Sequence, residues 1–153
     1  MSGPGDPGAV LKAAADAALV NPKFQPGKGE THCNQAVQSI AEEMGCTELS
    51  YRMADEQYQV MAANASGRWK KVSGTDATLH ALDGGLAIAA LPSQRLGEAH
   101  GHVAAVYPIG MQWSGSLGHD VPMVANVGKR VGLMRSSEAF PVADGEADYF
   151  AWS

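Results

Sequence analysis

Two short segments of the chain carry side chains that together could perform acyl transfer. Segment 31–37, with the sequence THCNQAV, places Cys33 at the start of an amphipathic stretch, and segment 101–106, GHVAAV, places His102 at the start of an apolar one. A thiol at a helix N-terminus lies beside unpaired backbone N–H groups and the positive end of the helix dipole, which lower its pKa. An imidazole held against that thiol can serve as general base and then as general acid. Cys33 and His102 therefore predict a cysteine hydrolase.

The helix that carries Cys33 is predicted from apolar residues at helical spacing. They extend from Ala36 to Met44, and Gly45 suits the left-handed position that ends a helix. Thr31 is the expected N-cap, which puts Cys33 in the first turn. A lone helical cysteine is most often buried packing. Here polar residues surround Cys33 and the apolar stripe begins only after it, which favours a functional thiol.

The residues that follow His102 predict a buried strand. Segment 102–107 is apolar after its first residue and ends at a proline, and Leu86–Leu91 is a continuous apolar run of the same kind. Such runs are typical of strands covered on both faces. Gly101 removes a side chain beside His102, so another backbone or a substrate could approach closely. We therefore expect His102 where a buried sheet meets a cleft, the alternative being a surface histidine at a strand edge.

The remaining pattern predicts an α+β fold, with N-terminal helices packed on a small antiparallel sheet. We expect a disordered leader over residues 1–8 and one hydrolase domain over 9–153. Three other helices are expected: one capped by Asp6 that continues to Val20, one from Asp55 to Ala65 and one from Thr75 to Asp83. The other expected strands are 123–127 and, with weaker patterns, 131–134 and 149–152.

Composition excludes several classes of function. With 153 residues, 45% hydrophobic and 18% charged, the chain has the composition of an ordinary globular domain. A net charge of −5 without a cluster of Lys or Arg argues against a nucleic-acid partner. No run approaches the roughly 18 apolar residues of a membrane span. The first residues lack the basic start of a signal peptide, so we expect either synthesis in the cytoplasm or a signal that has already been removed.

The two cysteines, Cys33 and Cys46, do not make a disulfide framework. If one helix joins them, a rise of ~1.5 Å per residue separates them by roughly 20 Å, which is too far for a bond. Cys46 is most simply a small buried hydrophobe behind the end of the helix.

The order of these motifs resembles the papain-like peptidoglycan hydrolases of the NlpC and CHAP type. The likeness is carried by THCN at the start of a helix and by GHVAAV at the start of a strand roughly seventy residues later, and it extends over residues 9–152. It is nearest to small single-domain members such as phage lysins and the amidase effectors of type VI secretion. The resemblance implies a papain-like (NlpC-type) core with Cys33 as nucleophile and His102 as general base. An aspartate often precedes the cysteine in this family, where this chain has His32.

The resemblance also implies a third polar group, on the next strand, that orients the imidazole. Asn126 is the best match because it is the one polar residue in the apolar run 123–127. Ser114 and His119 are rivals for this role. A strand-end asparagine before the turn at Gly128 is the structural alternative for Asn126.

Three further residues are candidates for contact with substrate. The backbone N–H of Cys33, with Asn34 nearby, could form an oxyanion hole. His32 neighbours the nucleophile. Trp69, Trp113 and Trp152 are expected in the core or the cleft wall, although Trp113 lies in a segment rich in Gly and Ser and could touch a ligand.

The activity implied by the resemblance is that of a cysteine amidase or endopeptidase that cuts an amide bond in the peptide stems of the bacterial cell wall. The family suggests a bond that involves D-glutamate and the diamino acid of the stem. No cofactor or metal is expected. The partners are peptidoglycan stems and an immunity or delivery protein, and the site of action is the wall, in the periplasm or outside the cell, after delivery or release.

Two other functions stay open from the sequence. His100 and His102 would point to one face of a strand if both lay on it, and with His119 or Cys33 they could hold a metal ion for a metal-dependent hydrolase. The same fold could also serve as a non-catalytic binding module, because function depends on the site rather than on the fold.

Overall fold

The computed structural model describes residues 6–27, 31–142 and 145–153. Within them the helices are α1 (Ala9–Val20), a short 3-10 helix (Pro22–Phe24), α2 (Cys33–Glu43), α3 (Ala54–Ala63), α4 (Gly74–Leu82), α5 (Ser93–Leu96) and α6 (Ser136–Ala139). The strands are β1 (Trp69–Val72), β2 (Leu86–Leu91), β3 (His102–Val106), β4 (Gln112–Ser114), β5 (His119–Val121), β6 (Met123–Asn126), β7 (Gly132–Arg135) and β8 (Asp148–Trp152). Helices combined with an antiparallel sheet confirm the predicted α+β class.

Six of these strands form one antiparallel sheet in the order β1-β8-β2-β3-β6-β7, while β4 and β5 pair as a separate hairpin. All six residues of β2 are buried, and so are the last four of β3. The two central strands are therefore covered on both faces, as their continuous apolar sequences predict. Leu91 pairs with His102, which puts the histidine at the end of the central ladder.

The helix that begins at Cys33 packs against β3 and α1. Its buried residues after Cys33 are Ala36, Val37, Ile40 and Ala41, which form the apolar stripe expected from the sequence. Burial of this stripe fixes the helix against the strand that carries His102. Across the described segments, no helix combines the length and the apolar character that crossing a membrane requires.

The N-terminal leader predicted over residues 1–8 lies outside the described residues except for Asp6 to Gly8. These three residues form a turn in which the Gly8 N–H donates to Asp6 Oδ1 over 2.9 Å. Helix α1 then begins at Ala9 with Gly8 as N-cap, so the expected N-cap at Asp6 is wrong by two residues.

Strand β1 was not predicted from the sequence because two adjacent lysines obscure its alternation. Of its four residues only Trp69 is buried, since β1 is an edge strand that pairs with β8 alone. The pairing is supported by Glu48, whose carboxylate accepts hydrogen bonds from the indole N–H groups of Trp69 (3.2 Å) and Trp152 (2.8 Å). A distant acceptor of this kind leaves no local pattern in the chain.

Helix α3 begins at Ala54 and not at Asp55, with Met53 as its N-cap. The Asp55 carboxylate instead accepts hydrogen bonds from the backbone N–H (2.8 Å) and the hydroxyl (2.6 Å) of Ser93 at the start of α5. Gly101 lies directly against this carboxylate, and a Cβ there would also lie 3.0 Å from the Leu91 carbonyl oxygen. The groups that approach Gly101 closely are therefore the Asp55 carboxylate and the Leu91 carbonyl, both part of the fold itself.

The contact between Gly101 and Asp55 predicts strongly coupled effects on stability. Gly101→Ala should lower the free energy of unfolding by about 1–3 kcal/mol because its methyl group overlaps the carboxylate. Asp55→Ala should cost roughly 1–2 kcal/mol through the two lost hydrogen bonds. The double variant should lose less than the sum of the single variants, because removal of the carboxylate makes room for the methyl group. Urea unfolding of the four proteins measures this coupling, and strict additivity would contradict it.

Candidate active site

Cys33 is the first residue of α2, and its N-cap is His32 and not the expected Thr31. The His32 side chain makes no capping bond to the backbone; its Nδ1 lies 2.8 Å from Gln35 Oε1. Cys33 nevertheless lies in the first turn, where the backbone N–H groups have no acceptor within the helix. The local pattern thus placed the thiol correctly and misplaced only the cap.

Burial governs the protonation of the Cys33 thiol. The residue is 7% exposed, and its burial raises the pKa of the thiol above its ordinary value. The backbone N–H groups of Val103, Asn34 and Cys33 itself lower this pKa, but by less than burial raises it. The expectation that the helix terminus would depress the pKa is therefore wrong, because removing a thiolate from water costs more than these dipoles return. At neutral pH the resting side chain is a thiol.

His102 is the half-buried first residue of β3 and is held on two sides. Its Nε2 lies 2.6 Å from Asn126 Oδ1, and its ring centroid lies 4.8 Å from that of Phe140 at an interplanar angle of 50°. Burial lowers the pKa of His102, while the hydrogen bond to Asn126 and the negative charge of Glu98 oppose this effect. A pKa below 6.5 leaves the imidazole neutral at pH 7 and able to accept a proton.

The asparagine amide fixes which ring nitrogen of His102 carries the proton. Asn126 Nδ2 donates to the Arg130 carbonyl over 2.8 Å, so Oδ1 is the atom turned toward the imidazole. Because Oδ1 can only accept, Nε2 must donate, and Nδ1 of the neutral ring is left as the acceptor. This is the tautomer that a general base requires.

The strand register explains why these two side chains meet. In the β3–β6 pair Ala105 lies opposite Ala125, and continuing this antiparallel register sets Gly128 opposite His102. His102 and Asn126 are then diagonal neighbours on one face of the sheet. A Cβ at Gly128 would lie 3.2 Å from His102 Cε1, so glycine leaves the room that the imidazole occupies.

Cys33, His102 and Asn126 border one cavity of about 640 Å³. Its remaining lining comes from Thr31, from Met134, and from three wall segments at residues 96–101, 128–130 and 138–141. The structure thus brings together the three residues for which the sequence predicts catalytic roles, although they are far apart along the chain. A thiol, an imidazole and the amide that orients this imidazole therefore border the same cleft.

Three residues proposed for contact with substrate do not border this cavity. Asn34 Nδ2 donates to the Arg52 carbonyl over 3.1 Å, and the His32 ring is hydrogen-bonded to Gln35. Trp113 is 60% exposed in β4, where it pairs with Asp120 of β5. Asn34 and His32 therefore have local structural partners.

The rivals for the third polar group, Ser114 and His119, lie in the β4–β5 hairpin and do not border the cavity. Ser114 Oγ lies 3.2 Å from Ser116 Oγ, and His119 Nε2 lies 3.3 Å from Glu146 Oε1. His100 borders the cavity but lies in the bend before β3, so the expected strand pair of His100 and His102 is wrong. Over residues 6–27, 31–142 and 145–153, no three His, Cys, Asp or Glu side chains are grouped closely enough to hold a metal ion.

Sequence reasoning missed several contributors to the site. Phe140, which packs on the imidazole, follows a helix of four residues that is too short to show periodicity. The Arg130 carbonyl acts through its main chain, which no residue type reveals. Gly128 was assigned to a turn only. The sequence signal available for the role of Gly128 beside the imidazole was its position two residues after Asn126, the candidate orienting side chain.

Comparison with known proteins adds no assignment, because no family model matches the chain and no curated protein matches it significantly.

The environment of His102 predicts a low titration midpoint that depends on residue 126. NMR titration of the ring should give a pKa below 6.5 in the native protein, since burial favours the neutral form. Asn126→Asp should raise this pKa because a carboxylate stabilises the imidazolium. Ser114→Ala, which removes the rival group, should leave it unchanged. A native pKa above 6.5, or a shift in the Ser114 variant alone, would contradict the geometry.

The buried thiol predicts a particular pH dependence of alkylation. Iodoacetamide should label Cys33 before Cys46, which is only 1% exposed and does not border the cavity. Because the pKa of Cys33 is raised, the rate should increase continuously from pH 6 to pH 9. A rate that is constant between pH 6 and pH 8 would indicate a preformed thiolate. Cys33→Ser is the control that assigns the labelled residue.

Proposed function

We propose that this protein is a cysteine hydrolase that cleaves an amide bond in the peptide stems of bacterial peptidoglycan. The observation that carries the proposal is the 2.6 Å hydrogen bond between His102 and Asn126 on the cavity that Cys33 also borders. The resemblance to NlpC- and CHAP-type peptidases supports the choice of substrate. As in that family, the chain has first a helix with the cysteine, then a strand with the histidine, and then a neighbouring sheet strand with a polar residue.

Acylation begins from the neutral thiol and the neutral imidazole. His102 Nδ1 accepts the thiol proton as Cys33 Sγ attacks the carbonyl carbon of the scissile amide. The backbone N–H of Cys33, in the first turn of α2, donates to the oxyanion of the tetrahedral intermediate. The imidazolium then gives its proton to the amide nitrogen, the C–N bond breaks and a thioester remains on Cys33.

Deacylation repeats the same proton transfers with water. His102 removes a proton from a water molecule, whose oxygen attacks the thioester carbonyl, and the imidazolium returns the proton to the departing sulfur. The carboxylic acid product leaves and the thiol is restored. Asn126 holds the ring throughout and stabilises the imidazolium, while the adjacent Phe140 limits its rotation.

The proposed setting follows from the substrate. Mature peptidoglycan lies outside the cytoplasm, so a protein with this activity acts there after delivery or release, as a lysin or a secreted effector does. An immunity or delivery protein is the further partner that this role implies.

Digestion of purified peptidoglycan followed by mass analysis of the fragments tests the function. Fragments with a new amine and a new carboxylate should appear with the native protein and with Cys46→Ala. Cys33→Ala and His102→Ala should be inactive, and Asn126→Ala should turn over roughly 10- to 100-fold more slowly. Activity should survive EDTA. Loss of activity in EDTA with recovery in zinc would instead support a metal-dependent hydrolase, and full activity of Cys33→Ala would exclude a thiol nucleophile.

The neutral resting pair also predicts the pH profile of the reaction. The base form of His102 is present above its pKa, which burial lowers, so the acid limb of kcat/KM should fall below pH 6.5. Asn126→Asp should move this limb to higher pH by stabilising the protonated ring. An acid limb above pH 7 in the native protein would contradict the proposed general base.

A further inference from the structure

The walls of the cleft carry charges of opposite sign. Glu98 lies in the wall segment between α5 and β3, and Lys129 and Arg130 lie in the turn between β6 and β7. Glu98 and His102 border the same cavity. In a chain with a net charge of −5, adjacent cations beside the candidate nucleophile call for a local explanation.

Arg130 has a structural role. Its guanidinium lies 3.7 Å from Glu138, which also accepts from Arg135 Nε over 2.8 Å, and its carbonyl holds Asn126. Lys129 differs from it. Over the described residues no carboxylate lies within 4.0 Å of its ammonium group, and its side chain is exposed where it borders the cavity.

The position of Lys129 is set by the strand register. It follows Gly128, which the continued register sets opposite His102 and where a Cβ would lie 3.2 Å from His102 Cε1. Consecutive Cα atoms are about 3.8 Å apart. The Lys129 backbone is therefore one residue from the imidazole contact, and its flexible side chain can reach a group bound beside the scissile amide.

We infer that Lys129 is a specificity-determining residue that binds a carboxylate of the substrate next to the amide that is cut. This inference rests on the proposed function. The ammonium group attracts a carboxylate, and Glu98 repels it from the wall between α5 and β3, so the two residues together orient the substrate. A stem in which glutamate is linked through its side chain keeps a free α-carboxylate of this kind. Amidation of that group removes its charge and should weaken binding.

A pair of synthetic stem peptides that differ only at the glutamate α-carboxyl group, free acid or primary amide, tests this inference. The native protein should show a KM roughly three- to tenfold lower for the free acid, as a charge pair at an exposed site gives. Lys129→Met should raise the KM for the free acid by a similar factor. It should leave kcat and the KM for the amide within about twofold, and Lys129→Arg should retain the preference.

Lys70→Met is the matched control, since Lys70 is exposed on β1 at the opposite edge of the sheet. It should leave all four kinetic constants unchanged. Equal effects of Lys129→Met on both peptides, or the absence of any effect, would overturn the carboxylate site. If the native protein cleaves neither peptide, the proposed function fails by itself. Binding of the two peptides to the Cys33→Ala variant, measured by calorimetry, then tests the carboxylate site. A preference for the free acid that is lost when Lys129→Met is added supports the site. Equal or undetectable binding of the two peptides overturns it.

Discussion

The antiparallel pairing of β3 with β6 is the constraint on which the candidate site depends. This register places His102 and Asn126 diagonally on one face and sets Gly128 opposite the imidazole. The asparagine amide bridges Nε2 of the ring and the carbonyl of Arg130, so the turn after β6 also determines the tautomer. A shift of one residue in this register would send Asn126 to the other face of the sheet and disconnect the imidazole.

Burial and local dipoles oppose each other at the nucleophile, and burial prevails. The pKa of Cys33 is raised and that of His102 is lowered, so the resting pair is neutral. In the proposed mechanism, the proton is transferred during the reaction itself, and the thiolate forms only as the carbonyl is attacked. That mechanism requires a correctly oriented His102 to activate a thiol that is little reactive in the absence of substrate.

The cleft wall is attached to the fold by a polar connection that is distant in sequence. Asp55 at the start of α3 holds Ser93 at the start of α5, and Gly101 lets that carboxylate reach its place. The connection fixes both ends of the loop that brings Glu98 to the cavity. The position of that charge near His102 thus depends on helix α3, which does not itself border the cleft.

Local pattern in the sequence was sufficient for the α+β class, for strand β2 with both its ends, and for the placement of Cys33 in the first turn of α2 and of His102 at the first residue of β3. These features depend on periodicity and on turn residues within a few positions. Asn126 was indicated by the family resemblance, because it is the one polar residue in the apolar run 123–127. Tertiary structure decided the rest: the short edge strand β1, the role of Asp55, the packing of Phe140 and the sign of the pKa shift at Cys33. Each of these depends on burial or on atoms distant in the chain, and neither quantity can be obtained from neighbouring residues.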